Sequence, residues 1–373
     1  MPKRGKDKGV STEPRAPAEP PKLLRVLEPD GSVVGVVPEI TSESMLHMYR
    51  SMLLVRLLDE RMMILQRQGR VGFYGACTGQ EAPPIGTVAG LEARDWIFPA
   101  LREGVAMLHR GYDLETYIAQ VFGNSKDVLK GRQMPSHYAD RSVNVVSWGS
   151  CIGTQLPQAV GAAWAAKLRK DDVATVGFMG DGATSESDFH TAMGFAAEHK
   201  LPTILICQNN HWSISIPTRG QTRARTIAEK AVAYAMPFVR VDGNDVLAAY
   251  SAVREARERA RRGEGATFIE MLTYRIGAHS SSDDPRVYRD ENEVVAWKAK
   301  DPIERYRRFL IARGIWSDDA EESLTKSLEA TIIEAVRSAE AHPAPPPSTL
   351  FEDLYGNPPP HLLAQARERF GAT

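Results

Sequence analysis

Two short stretches of this chain carry residue types suited to holding a metal and a phosphate. Gly180-Asp181-Gly182-Ala183-Thr184-Ser185-Glu186 sets a carboxylate between two glycines, and Asn209-Asn210 follows, with Asn210 29 positions after Asp181. One carboxylate, one amide oxygen and a backbone carbonyl make a suitable protein share for Mg2+. That ion prefers octahedral oxygen coordination and keeps phosphate oxygens and water in its shell. Gly180 and Gly182 let the backbone approach an anion closely, and a helix beginning around Ser185 to Ser187 would turn its free N–H groups and positive end toward it. A Gly-Asp-Gly tripeptide alone also suits an ordinary turn after a strand. The answering asparagine is what points to a cation holding a diphosphate.

The flanking pattern says how the two stretches meet. Residues 173–179 and 203–207 are apolar runs of buried-strand length, and 187–199 is amphipathic at helical spacing, which makes a βαβ unit. Both strand ends of such a unit point the same way, so Asp181 and Asn210 converge at the carboxyl edge of a sheet. Around this unit, 42–68 reads as an entry helix through Met45, Met48, Leu53 and Leu57, and 72–90 as a glycine- and proline-punctuated binding loop. Residues 154–169 read as a buried helix. Strands are expected over 238–241 and 266–273, with a helix over 246–262 whose arginines form a solvated face. Residues 24–37 read as an extended segment around the Asp30-Gly31 turn. Residues 301–341 read as mostly helical, ended by the proline cluster from Pro343 to Pro347, with a tail lying along the surface or a neighbour. The expected class is α/β, a parallel sheet flanked by helices on both faces. Three parts are expected: an arm and short extended segment (1–41), the α/β domain (42–341) and a proline-rich extension and tail (342–373).

Several motifs carry a resemblance. The strand, Gly-Asp-Gly, helix, strand, Asn-Asn arrangement resembles the thiamine diphosphate motif. Lys130-Gly131-Arg132-Gln133-Met134-Pro135, Thr154-Gln155-Leu156-Pro157-Gln158-Ala159-Val160-Gly161, Arg240-Val241-Asp242-Gly243-Asn244-Asp245 and Tyr274-Arg275-Ile276-Gly277-Ala278-His279-Ser280 are similar to the alpha subunits of branched-chain 2-oxo acid dehydrogenases. The resemblance runs from about Ser42 to the C-terminus. It implies a thiamine-diphosphate-binding fold, an α2β2 heterotetramer with the cofactor between alpha and beta chains, and transfer of the acyl group to a lipoyl-bearing acyltransferase core. By motif position it implies Mg2+ held by the side chains of Asp181 and Asn210 and the carbonyl of Trp212. It implies a diphosphate met by Gly180, Gly182, Ala183 and Arg102, and an aminopyrimidine met by Ser150 and Ile152. His279 is expected near the reactive carbon as a group titrating near neutrality, and the family admits a K+ site beside Gln155. Ser280 occupies a position that animal relatives phosphorylate; here its serine-rich loop is read as a segment that orders on cofactor binding. The glutamate that activates the cofactor comes from the beta chain in this family, so the chain alone is expected to be silent. Leu101, Gln208 and the stretch 221–228 depart from the family pattern and bear on substrate choice.

Bulk composition narrows the alternatives. Lys and Arg total 46 against 47 Asp and Glu, so no overall field would draw the chain to nucleic acid or a membrane surface, and a small-molecule substrate is expected, which the resemblance narrows to a 2-oxo acid. No Gly-x-Gly-x-x-Gly opens a helix after a strand, which removes the dinucleotide-binding reading. A pyruvate- or acetoin-directed sister enzyme and a non-catalytic scaffold subunit stay open; the intact metal pair argues against the scaffold. Cys77, Cys151 and Cys207 are too few and too scattered for a disulfide framework and fit a reducing compartment. The start of the chain, with Lys3, Arg4, Lys6 and Lys8, is basic and proline-rich without an apolar core, and reads as a flexible arm. Asp7, Glu13 and Glu19 are acidic where organelle transit peptides avoid acid. The expected location is cytoplasmic, of bacterial type.

Overall fold

The computed structural model describes residues 20–371, so the flexible-arm and transit-peptide readings of residues 1–19 lie outside the described residues. Six strands form one parallel sheet: β1 (Leu23–Leu24), β2 (Trp96–Phe98), β3 (Thr175–Gly180), β4 (Thr203–Asn209), β7 (Phe238–Asp242) and β8 (Thr267–Leu272), in the order β1-β7-β8-β4-β3-β2. A short antiparallel hairpin, β5 (Trp212–Ser213) and β6 (Ile216–Pro217), follows β4.

The central strands are apolar along both faces because both are covered. Val176, Phe178, Ile204 and Ile206 pack into one core together with the helices Ser42–Arg67 and Val246–Arg261. Met179, Leu205 and Cys207 face the other core, against the helices Gln155–Arg169 and Ser187–Glu198. The alternation along each strand thus splits the sheet's side chains between two layers of helices. Among the described residues no helix is long and apolar enough to cross a membrane.

Three features differ from the sequence reading. The arginines of the helix Val246–Arg261 are not all solvated: Arg257 is buried and its Nε lies 2.9 Å from Asp95 Oδ2. The helical stretch after residue 301 is two helices, Pro302–Ala312 and Asp318–Ala341, broken where Gly314 takes a left-handed φ of 72°. The tail lies along its own chain's surface, one of the two expected courses, with Lys130 Nζ 2.6 Å from both Glu352 and Asp353, but it carries a helix the sequence reading did not give, Pro360–Phe370. The Asp30-Gly31 turn needs its glycine. Gly31 has φ +86° and a Cβ there would lie 2.7 Å from Arg308 Cβ, so the turn packs directly on the helix Pro302–Ala312.

Candidate active site

β3 and β4 are adjacent and parallel with Gly180 opposite Gln208, so Asp181 and Asn210 leave the sheet side by side. They open into a cavity of about 420 Å³ at the carboxyl ends of the strands. Arg102, Ser150, Ile152, Gly180, Asp181, Gly182, Ala183, Asn210, Trp212 and His279 all line it.

The chain does not run straight from β3 into a helix. A 3-10 turn, Gly182–Ser185, comes first, and the long helix begins at Ser187. Thr184 ties the turn down: its N–H and Oγ1 donate to Asp181 O at 3.2 and 2.7 Å, and Lys230 Nζ donates to Thr184 O at 2.9 Å. The helix end expected at Ser185 to Ser187 is therefore set back from Gly182 by one turn. Gly182 is forced by space, because a Cβ there would stand 2.0 Å from Ser213 Oγ on the β5–β6 hairpin.

Asp181 is buried and accepts a 2.9 Å hydrogen bond from Thr218 Oγ1; burial pushes its carboxyl up to about 6. Asn210 Oδ1 accepts from the Trp212 backbone N–H at 3.1 Å, and its Nδ2 donates to Gln80 Oε1 at 2.9 Å. The Trp212 carbonyl accepts from Arg275 Nη1 at 3.2 Å. Among the described residues no group of three or more His, Cys, Asp and Glu side chains is placed to hold a metal. A cation at Asp181 and Asn210 thus needs ligand oxygens from elsewhere, as a diphosphate would supply.

Arg102 is 6% exposed and donates only to carbonyls, those of Ala76 and His279, the latter at 2.7 Å. It makes no ion pair among the described residues, and burial lowers its pKa. A buried cation without a counter-ion is unfavourable by itself and suits an anionic ligand. His279 stands in the loop after β8, its backbone N–H donating to Asp283 Oδ2 at 2.7 Å. Burial and the charges of Arg102 and Arg275 push its imidazole down to about 4. That lies below the near-neutral range expected from the sequence.

Sequence reasoning missed part of the wall. His137 Nε2 lies 2.9 Å from Ser150 Oγ, and its ring packs on Trp148 with centroids 4.1 Å apart. The motif that drew attention, 130–135, stops short of it, and nothing in the local pattern marks it. Thr218 and Gln80 gave no signal either, since each acts through a contact distant in sequence. Gln208 donates to Glu103 Oε1, and burial pushes the Glu103 carboxyl up to about 7. Gln80 Nε2, Gln155 Oε1 and Gln208 Oε1 are all buried without a partner among the described residues, and all three glutamines line the cavity. Native interiors leave few such atoms unmet. An unpaired cation, a carboxylate beside an amide oxygen, a glycine turn and unmet amides fit a metal-bound diphosphate. The rest of the wall is apolar, with Phe73, Leu101, Met134, Trp148, Ile152 and Ile214.

The description "Dehydrogenase E1 component" matches residues 49–348. The chain belongs to the dehydrogenase E1 component family. This is a family of thiamine-diphosphate-dependent oxidoreductase subunits on a thiamine-diphosphate-binding α/β fold, in agreement with the parallel sheet and its covering helices. The chain is 42% identical over 344 residues to 2-oxoisovalerate dehydrogenase subunit alpha 2, mitochondrial, of Arabidopsis thaliana, covering 91% of this chain and 73% of that one. It is 40% identical over 346 residues to the human 2-oxoisovalerate dehydrogenase subunit alpha, mitochondrial, covering 92% and 78%. The Dictyostelium discoideum protein of the same name is 40% identical over 333 residues, covering 89% and 76%. Each is named an alpha subunit, a name that implies a beta partner. Each is also named mitochondrial, and this overturns the cytoplasmic location expected from the cysteines and from the acidic residues within the basic arm.

Proposed function

We propose that this chain is the alpha subunit of an α2β2 2-oxo acid dehydrogenase that decarboxylates branched-chain 2-oxo acids and passes the acyl group to the lipoyl group of an acyltransferase core. The observation that carries the reading is the pairing of Asp181 and Asn210 at adjacent strand ends, in one cavity with the unpaired Arg102. Residues 42–341 form the cofactor-binding part, with the arm before it and the tail after it.

Asp181 and Asn210 would hold Mg2+ by side-chain oxygens and Trp212 by its carbonyl. Arg102 would neutralise the diphosphate, while the amides of Gly182 and Ala183 and the close approach of Gly180 complete the cradle. Ser150, oriented by His137, and Ile152 would meet the aminopyrimidine. Gln155 Oε1, buried without a partner, suits a K+ ion beside it. When bound, thiamine diphosphate supplies a nucleophilic carbon and an electron sink for the departing CO2. His279, neutral at pH 7, accepts or donates one hydrogen bond at the substrate without adding charge beside Arg102 and Arg275. The apolar wall excludes water and suits an aliphatic side chain; each buried methylene is worth about 0.8 kcal/mol there.

The test is decarboxylation by this chain co-expressed with a beta partner, with Mg2+, thiamine diphosphate and an artificial electron acceptor. The expected result is faster turnover of 3-methyl-2-oxobutanoate than of pyruvate, and none from the chain alone. A preference for pyruvate moves the enzyme to a sister activity, and robust turnover by the single chain overturns the two-subunit reading.

A further inference from the structure

We propose that Gln80 is a positioning and binding residue of this site. Its carboxamide oxygen fixes Asn210 in the orientation the metal needs, and its N–H donates to an oxygen of the metal–diphosphate unit. The inference rests on the functional reading above and deepens it.

The N–H of Trp212 can only donate, and it points at one end of the Asn210 amide from 3.1 Å. That end is therefore the oxygen, Oδ1, which keeps a second lone pair for a cation. The other end, Nδ2, must donate, and its partner 2.9 Å away on Gln80 must be the oxygen, Oε1. What remains of Gln80 is an NH2 group. Both side-chain amides are thus oriented from the main chain, and neither orientation is an arbitrary choice of which atom is nitrogen.

That NH2 is buried and has no partner among the described residues, while Gln80, 1% exposed, lines the cavity. The residue is held firmly. Its backbone N–H donates to Cys77 O at 2.8 Å, Gly79 N–H donates to Glu81 at 3.1 Å, and Glu81 pairs with Arg56 at 2.5 Å. Thr273 Oγ1 donates to Gly79 O at 3.2 Å, fastening the turn to the end of β8. A rigid turn therefore presents an unmet donor beside Asn210. The acceptor it lacks is supplied by what binds next to Asn210, a diphosphate oxygen.

The test uses the alpha chain assembled with its beta partner and freed of cofactor. Calorimetry measures thiamine diphosphate binding at saturating Mg2+ and Mg2+ binding at saturating cofactor, for wild type, Gln80→Leu and Gln80→Glu, with thermal melts of the unloaded proteins. Gln80→Leu loses both roles, and each affinity is expected to fall at least about tenfold, as for one hydrogen bond to a charged group. Gln80→Glu keeps an acceptor for Asn210 Nδ2 but no donor, so Mg2+ affinity recovers while thiamine diphosphate affinity stays low. A role in packing alone cannot give that split. Wild-type affinities in Gln80→Leu, or parallel loss of both affinities in Gln80→Glu, overturn the proposal. So does failure of both variants to assemble, which makes Gln80 a structural residue. A well-folded wild type that binds no cofactor overturns the functional reading itself, and this inference with it.

Discussion

Two buried polar clusters sit at opposite ends of the same sheet, and they differ in whether they are complete. Near the start of β3, Asp95 is fully buried and answered on every side. It accepts from Arg257 Nε at 2.9 Å, from the Ala174 N–H at 2.8 Å and from the Glu92 N–H at 2.8 Å. At the end of β3, Asp181, Arg102, Gln80 and Gln208 are equally buried and incompletely answered. Burying a charge without a partner is unfavourable in either place. The first cluster resolves this within the chain, and the second does so only with the ligand proposed above. Within the second cluster the unmet atoms are the side-chain amides of Gln80 and Gln208, which face the cavity.

Breaking one member of each cluster should give opposite signatures. Asp95→Ala leaves the buried Arg257 with only the longer 3.6 Å pair to Glu258 and leaves the Ala174 and Glu92 N–H groups unmet, so it should lower stability by about 3 kcal/mol, read as a large drop in melting temperature of the assembled protein. Asp181→Asn should leave the unloaded protein as stable as wild type, or more so, because burial already disfavours its charge, while abolishing Mg2+-dependent cofactor binding. If Asp181→Asn melts as early as Asp95→Ala, the distinction between the clusters is wrong. His279→Ala carries the contrast into catalysis. Turnover should fall on the order of 100-fold or more, with cofactor affinity and melting temperature nearly unchanged; normal turnover removes His279 from the reaction.

The same contrast explains what the sequence could reveal. The βαβ unit was legible because 173–179 and 203–207 are apolar on both faces, and the structure has β3 and β4 there with the intervening helix at Ser187–Glu198. The ten expected residues gather round one cavity because Asp181 and Asn210 are each one step from a strand end, where local pattern and position coincide. Arg257 was misread as solvated because its partner Asp95 lies 162 positions away. Gln80 and Thr218 were invisible for the same reason: each acts through one long-range hydrogen bond. The lowered pKa of His279 comes first from burial and then from Arg102 and Arg275, which arrive from elsewhere in the chain, and no local spacing encodes either.

Smaller effects sharpen the comparison within the site. Arg102→Met removes an unpaired buried cation and keeps most of its bulk. The unloaded protein should lose little stability, and thiamine diphosphate affinity should fall about 10- to 100-fold, as for a charge-assisted hydrogen bond of about 1.5–3 kcal/mol. Equal affinity in Arg102→Met would show that the cation answers something other than the diphosphate.

The mildest test is a pH titration centred on Glu103. Its carboxyl is raised by burial from 4.5 to about 7, against the pull of its backbone hydrogen bonds and of Arg102. The folded state therefore binds this proton more tightly than the unfolded chain does. The stability it contributes is fully present below about pH 4.5 and is lost as pH rises through about 7. At about 1.4 kcal/mol for each pH unit between the two values, the loss is at most on the order of 3 kcal/mol. Asp59, on the helix Ser42–Arg67 and pushed up to about 7 by burial and the Glu81 charge, slopes the same way. Glu103→Gln keeps the shape and removes only its own share, so its melting temperature should fall less between pH 5.5 and 8 than that of wild type, as follows from the same linkage. An identical slope in the two proteins would mean that Glu103 stays ionised beside Arg102, and that the Arg102 cation is answered within the chain after all.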